Sequence, residues 1–216
     1  MRMGSSLPLN PRKSPRQSRS VATVNAIFEA TLQVLESDGP ARLNTTRVAR
    51  RAGVSVGTLY QYFPNKQALL FAALERHLAM LADAIEKACD ENRSATVEAM
   101  AAAVVKAYLQ TRMVQAEVTP ALYLVAREID VRQLAEQATQ RSETAIEAML
   151  STAIDGRLID PHVIAQTLTA AIYGTVPAFC PRVLSLANSR EAERQLTVMF
   201  SAYLLAQRGD APPVLR

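Results

Sequence analysis

Between Asn44 and Lys66 the chain reads NTTRVARRAGVSVGTLYQYFPNK, and six hydroxyl side chains crowd into it: Thr45, Thr46, Ser55, Thr58, Tyr60 and Tyr62. Hydroxyls, an amide and cations in this density suit recognition of phosphates and base edges rather than bond breaking. A hydroxyl donates to a phosphate oxygen, Gln61 offers both a donor and an acceptor, and Arg47 and Lys66 bring positive charge. Gly57 has no side chain to hold its backbone off a partner. A glycine inside a helix costs about 1 kcal/mol relative to alanine, so its presence asks for a close approach. Lys66 opens a helix, where the macrodipole disfavours a cation by a few tenths of a kcal/mol; a phosphate docked on the free N–H groups would remove that conflict.

Two short helices and the start of a third must position these groups. Asn44 is an N-cap for a helix carrying Val48, Ala49 and Ala52 on one face, and Gly53 ends it. Ser55 caps the next helix, with Val54 and Leu59 placed for a hydrophobic staple and Leu59 and Phe63 turned inward. Pro64 stops that helix, and Asn65 caps a third whose first residue is Lys66. Helix, glycine turn and capped helix is the pattern of a helix-turn-helix, which lays its second helix in the DNA major groove. A plain helical corner with ordinary surface hydroxyls shares that pattern, so the local residues have to decide.

The segment AGVSVGTLYQYFPNKQALL closely resembles the DNA-binding hallmark of the tetracycline-repressor (TetR) family of bacterial transcriptional regulators. The matching residues are Ala52, Gly53, Val54, Ser55, Gly57, Thr58, Leu59, Tyr60, Tyr62, Phe63, Lys66 and Leu69. The likeness covers roughly residues 20 to 70, and beyond it only the architecture is similar. The resemblance implies that Thr45, Ser55, Tyr60, Tyr62 and Lys66 hold phosphates. It places Thr46, Val56, Gly57, Thr58 and Gln61 nearest the base edges, with Arg47 beside them. Val56 could read a thymine methyl but offers no hydrogen bond, so specificity would lean on its neighbours, an arm or DNA shape.

Charge distribution points to the same partner. Residues 1 to 66 hold ten Lys and Arg against three Asp and Glu, whereas residues 67 to 216 hold fourteen against seventeen. A basic third on a slightly acidic body suits a polyanion held at one end. A basic leader unrelated to function would account for the first 19 residues, but not for Arg42, Arg47, Arg50, Arg51 and Lys66. Apolar residues make up 49% of the 216 and glycines number only 7, without any alternating strand pattern. This predicts an all-α fold with a sizeable core. Cys89 and Cys180 lack CxxC spacing and a nearby His, which fits a reduced, cytoplasmic setting. The N-terminal segment has no apolar stretch of the secretory kind, and no run of about 18 apolar residues predicts a membrane span.

In chain order, residues 1–19 hold three prolines, four serines and five basic residues without an acid, and are expected to be a disordered arm that could reach a minor groove. Residues 20–66 are the expected DNA-binding domain, whose first helix runs from Ser20 to about Ser37. A long helix from Asn65 to about Glu91 leads into residues 67–208, the expected effector-binding and dimerisation domain, and 209–216 form a tail. Further helices are expected over about Ala95–Thr111, Pro120–Glu128, Val131–Asp155, His162–Phe179 and Arg190–Gln207, about nine in all, as the resemblance also implies. Gly156, Asp160-Pro161, Cys180-Pro181 and Gly209 punctuate them.

The body shows no catalytic signature. His77 and His162 have no metal spacing around them, and G-x-S-x-G, HExxH and glycine-rich phosphate loops are missing. No enzyme activity, metal or cofactor is expected. Met100, Val104, Tyr108, Met113, Tyr123, Met149, Tyr173 and Phe179 could line an adaptable pocket or simply form core. The resemblance favours an effector pocket for a small, largely apolar molecule. Ile164, Leu168 and Ile172 form one apolar stripe and Leu196, Phe200 and Tyr203 another; the resemblance implies a homodimer through these two helices. The expectation is a ligand-responsive repressor that binds a palindromic double-stranded operator as a dimer. The rivals are a helical binding or catalytic protein without a DNA role, and a constitutive or activating regulator without an effector. The basic head discriminates against the first rival.

Overall fold

A computed structural model describes residues 18–114, 122, 131–183 and 186–209. Its elements are α1 (Ser18–Asp38), a 3-10 turn (Pro40–Arg42), α2 (Thr45–Arg51), α3 (Val56–Tyr62), α4 (Lys66–Glu91), α5 (Val97–Val114), α6 (Arg132–Leu150), α7 (Pro161–Val183) and α8 (Leu186–Ala206). Among the described residues the only β pairing is an isolated antiparallel bridge between Leu158 and Arg208, so the chain is all-α. The helix expected over Pro120–Glu128 lies outside the described residues, apart from Leu122, which is helical and buried.

The chain divides into two compact units. One comprises Met1–His77 with Glu117–Arg132, the other Leu78–Ala116 with Gln133–Arg216. The boundary falls within α4, later than the expected one after Lys66, because the first turns of that helix belong to the head. Ala68, Leu69, Leu70, Ala72, Ala73 and Leu74 are buried there.

In the head unit, α1 contributes Ile27, Ala30, Val34 and Leu35 to the core, α2 contributes Val48 and Ala49, and α3 contributes Leu59. Phe63, just past α3, meets Phe28 edge-on with ring centroids 5.5 Å apart. Arg76 lies over the other side of this cluster, 5.2 Å from the Phe28 centroid, and bonds Asn25 at 2.6 Å. The start of α4 is thereby tied to α1.

The second unit has its own core: Leu81, Ile85 and Cys89 of α4; Met100, Val104, Val105 and Tyr108 of α5; Ile146 and Met149 of α6; Ile164, Leu168 and Ile172 of α7; Phe200 and Leu204 of α8. Burial pushes the Cys89 thiol up to about 12, so it packs as an apolar group. This core takes up much of the expected dimer stripes: Ile164, Leu168, Ile172 and Phe200 are at most 3% exposed, and Leu196 and Tyr203 are partly buried against them. The reason is periodicity alone: an apolar stripe marks burial without saying against what. Among the described side chains, the exposed large apolar residues on α7 and α8 are Val163, Val198, Met199 and Leu205.

Helix ends differ in ways that local chemistry explains. α6 stops at Leu150, not Asp155. Thr152 turns its hydroxyl onto the Met149 carbonyl at 2.6 Å and accepts the Ser94 N–H at 2.8 Å, leading the chain away to the α4–α5 turn. There Ile154 N–H bonds the Ala95 carbonyl, and Asp155 accepts the Val97 N–H at 3.0 Å. α7 continues past Phe179, through Pro181, to Val183. A proline removes only one ladder bond where the rest of the helix is held. α8 begins about a turn earlier than Arg190.

Candidate nucleic-acid interface

The reading head is built from three helix caps. Asn44 accepts the Arg47 N–H at 2.9 Å, Ser55 accepts the Thr58 N–H at 2.9 Å, and Asn65 accepts the Ala68 N–H at 2.7 Å. Each satisfies one of the N–H groups a helix start leaves open. Between α2 and α3 the chain closes in a Schellman turn: Val54 N–H returns to the Ala49 carbonyl and Gly53 N–H to that of Arg50. Gly53 has φ 69°, the left-handed conformation that glycine adopts without a Cβ penalty. The corner is therefore set by backbone bonds before any side chain meets a ligand.

α3 buries Leu59 and presents Gly57, Tyr60 and Gln61 to solvent, with Val56, Thr58 and Tyr62 half-buried. Ser55 and Thr46 are exposed as well. A Cβ added to Gly57 would meet only Ser55 Oγ, at 3.7 Å, an ordinary contact. The fold itself does not demand glycine at this position.

Six expected contact residues have other partners as well. Thr45 is buried, with its hydroxyl 3.0 Å from that of Tyr60. Ser55 Oγ lies 2.8 Å from Thr58 Oγ1, so these two hydroxyls serve the cap and each other. Arg47 pairs with Asp38 at 2.5 Å. Lys66 reaches back to the Pro40 carbonyl at 3.5 Å, a weak bond that leaves its ammonium available. Other exposed basic residues outside the expected set share this unit, among them Arg42, on the 3-10 turn, and Arg50 and Arg51, on α2. Their signal in the sequence was charge alone.

The expected effector residues sit elsewhere. Met100, Val104, Tyr108 and Met149 are no more than 1% exposed and fill the second unit's core, Met113 is half-buried, and Tyr173 packs on Tyr108 with centroids 5.2 Å apart. Tyr123 and the Phe179 side chain lie outside the described residues. One polar layer crosses this core. Tyr173 Oη lies 2.9 Å from Ser142 Oγ, and the buried Arg112 places its guanidinium 5.7 Å from the Tyr108 centroid. The surface grooves involve other side chains, among them an open groove of about 600 Å³ floored by Ala84, Ala88, Ala99 and Ala103. Among the described residues no three metal-ligating side chains come together.

An exposed second helix, a glycine turn and a basic, hydroxyl-rich surface define a helix-turn-helix DNA-binding head on a helical body. Residues 27–73 match the family model for bacterial regulatory proteins of the tetR family, which supports a TetR-family transcriptional regulator. It is 35% identical over 102 residues to the nucleoid occlusion factor SlmA of Actinobacillus pleuropneumoniae, covering 47% of this chain and 45% of that protein. It is 48% identical over 50 residues to the transcriptional repressor KstR of Mycolicibacterium smegmatis, covering 23% of this chain and 24% of that one. The chain thus spans less than half the length of these curated relatives. A TetR-family regulator from Mesorhizobium loti shares the fold with a TM-score of 0.71 at 16% identity, over 89% of this chain and 100% of that one. SmeT, the repressor of the Stenotrophomonas maltophilia multidrug efflux pump SmeDEF, shares it with a TM-score of 0.59 at 21% identity, over 90% and 96%.

Proposed function

We propose that this regulator is a cytoplasmic, ligand-responsive repressor that binds a palindromic operator as a homodimer. The observation that carries the reading is the α2–α3 corner: a capped second helix presenting Gly57, Tyr60 and Gln61, with no crowding in the fold to explain the glycine. Tyr60, Tyr62 and Lys66 would hold phosphates, while Thr46, Val56, Gly57 and Gln61 would lie nearest the bases. Thr45, Ser55 and Thr58 would act chiefly by holding these groups in place. A single reading helix touches few base pairs, so two heads related by a two-fold axis are needed for discrimination, reading half-sites about 34–36 Å apart or a multiple of that.

The effector would enter the second unit near the layer formed by Tyr108, Tyr173, Ser142 and Arg112, where polar tips stand within an apolar core. It would act by favouring a state in which the two heads no longer fit successive major grooves. α4 is one unbroken helix with residues in both units, which supports its use as the connecting element. Selection from a randomised duplex library tests the proposal. Enrichment of one palindrome, bound with steep salt dependence, is expected. Equal affinity for every duplex would refute it, and an effector that binds equally with and without operator would refute the coupling.

A further inference from the structure

We infer that Asp38 is a positioning residue for DNA recognition: by holding Arg47 in a neutral pair at the edge of the reading head, it withholds that cation from phosphate and keeps affinity for non-operator DNA down. This rests on the DNA-binding reading above.

The geometry begins at the end of α1. Asp38 is its last residue, a position where the macrodipole disfavours an anion, and the last turn of α1 contains no basic residue to offset it. An acid placed there calls for a cation from elsewhere in the fold. Arg47 supplies it across the turn, Nη1 to Oδ2 at 2.5 Å. Gly39 follows at φ 75° and returns its N–H to the Leu35 carbonyl, so Asp38 stands at a closed helix end. One turn further along α2, Arg51 bonds Gln33 at 3.0 Å and Ser37 at 3.3 Å. The end of α1 thus takes up two of the arginines of α2, while Arg50 stays exposed.

Arg47 follows Thr46, an exposed residue placed near the bases in the reading above, and its own side chain is 42% exposed, so a long guanidinium arm there could reach a bound duplex. Two considerations keep it with Asp38. Exchanging a carboxylate for a phosphate replaces one charge-assisted bond by another, and it would leave the Asp38 anion unpaired beside a polyanion. A neutral pair also releases no counterions from DNA on docking, whereas a lone arginine does. The guanidinium beside Asp38 holds its carboxyl below the ordinary carboxylate range, so the pair remains ionised at neutral pH. Both side chains keep contact with water, at 42% and 28% exposure, so removal of either frees the other without opening the core.

The test measures the slope of log K against log[KCl] for a non-operator duplex by fluorescence anisotropy, with the wild type, Asp38→Asn, Arg47→Gln and the double variant. Each added phosphate contact steepens the slope by about 0.9. Asp38→Asn should steepen it by about that amount per subunit and tighten non-operator binding at low salt. Arg47→Gln alone should leave the slope unchanged, and the double variant should return to the wild-type slope. That return separates release of Arg47 from mere loss of a negative charge, and a structural role would not produce it. If Arg47→Gln flattens the wild-type slope, Arg47 already holds a phosphate and the inference fails. It fails too if Asp38→Asn changes nothing or the double variant stays steep. A wild type that binds no duplex would instead overturn the DNA-binding reading and this inference with it.

Discussion

The hydroxyl of Tyr60 lies 3.0 Å from that of Thr45, joining the exposed face of α3 to the buried first residue of α2. Only one of the two can donate in that bond. A Tyr60 that gives its proton to a phosphate must accept from Thr45, and the two bonds then polarise each other. Thr45 would therefore act on DNA through Tyr60 rather than by direct contact.

Tyr60→Phe should weaken binding to every duplex alike, by at least about tenfold, since a hydrogen bond to a charged group contributes roughly 1.5–3 kcal/mol. Thr45→Val should weaken it less while leaving base preference intact. Anisotropy titrations against operator and non-operator duplexes check both. A Tyr60→Phe protein that binds at wild-type strength would remove Tyr60 from the phosphate contacts.

Gly57→Ala separates folding from function at one position. The added Cβ meets only Ser55 Oγ at 3.7 Å, so the variant should be more stable by about 0.5–1 kcal/mol in urea unfolding. Operator affinity should nevertheless fall, because the methyl lifts the backbone of α3 away from the groove. A variant that gains stability and keeps its affinity would show that DNA does not approach Gly57 closely.

The reading head was legible because its signals are local. Asn44, Ser55 and Asn65 cap the helices that follow them, and Gly53 takes the left-handed turn, each within a few residues of what it controls. The body was legible only as helices. Its stripes at Ile164, Leu168 and Phe200 were equally consistent with a core or an interface, and the structure places them in a core. Asp155 shows the same limit. It reads as the end of a helix, yet it caps α5 from a distance of 58 residues along the chain. The pair of Arg47 with Asp38 was also hidden, since which cations are neutralised depends on how α1 meets α2.

Asp155 also pairs with Arg208, next to the point where Gly209 N–H bonds the Arg157 carbonyl. Asp155→Ala should remove both the α5 cap and this pair, lowering unfolding free energy by about 1–2 kcal/mol. Urea titration reads the loss. An unchanged midpoint would mean that the 151–160 loop is held by its backbone bonds alone.

His162 gives the fold a small pH dependence. Glu147, 2.8 Å from Nδ1, raises the imidazole above its ordinary value by hydrogen bonding and by charge, with Asp160 and Glu143 adding to it. A raised folded value means the contribution is fully present below about pH 6.5, the unfolded value, and is lost as pH rises through the folded one. The pair is exposed, so the effect on stability is slight. An NMR titration should find the His162 value lower in Glu147→Gln than in the wild type. Equal values in the two proteins would contradict the pairing.

The dimer proposal now rests on the outer faces of α7 and α8. Val198 is 55% exposed and Met199 44%, with Leu205 about two turns on, while the neighbouring Phe200 and Leu204 point into the core. An apolar residue left in water on the same helix as a filled core is what a partner subunit would cover, and a two-fold contact uses that face twice. The two kinds of position respond oppositely to charge. Leu168→Glu would bury an unpaired carboxylate inside one chain, at a cost of several kcal/mol, and the chain should fail to fold. Val198→Glu with Met199→Glu places both charges in water in the monomer, so helicity by circular dichroism should survive. In the dimer the same charges would be buried at the contact. The double variant should therefore sediment as a folded monomer and lose affinity for a palindromic operator far more than for a single half-site. If it sediments as a folded dimer with undiminished operator affinity, another surface joins the two heads.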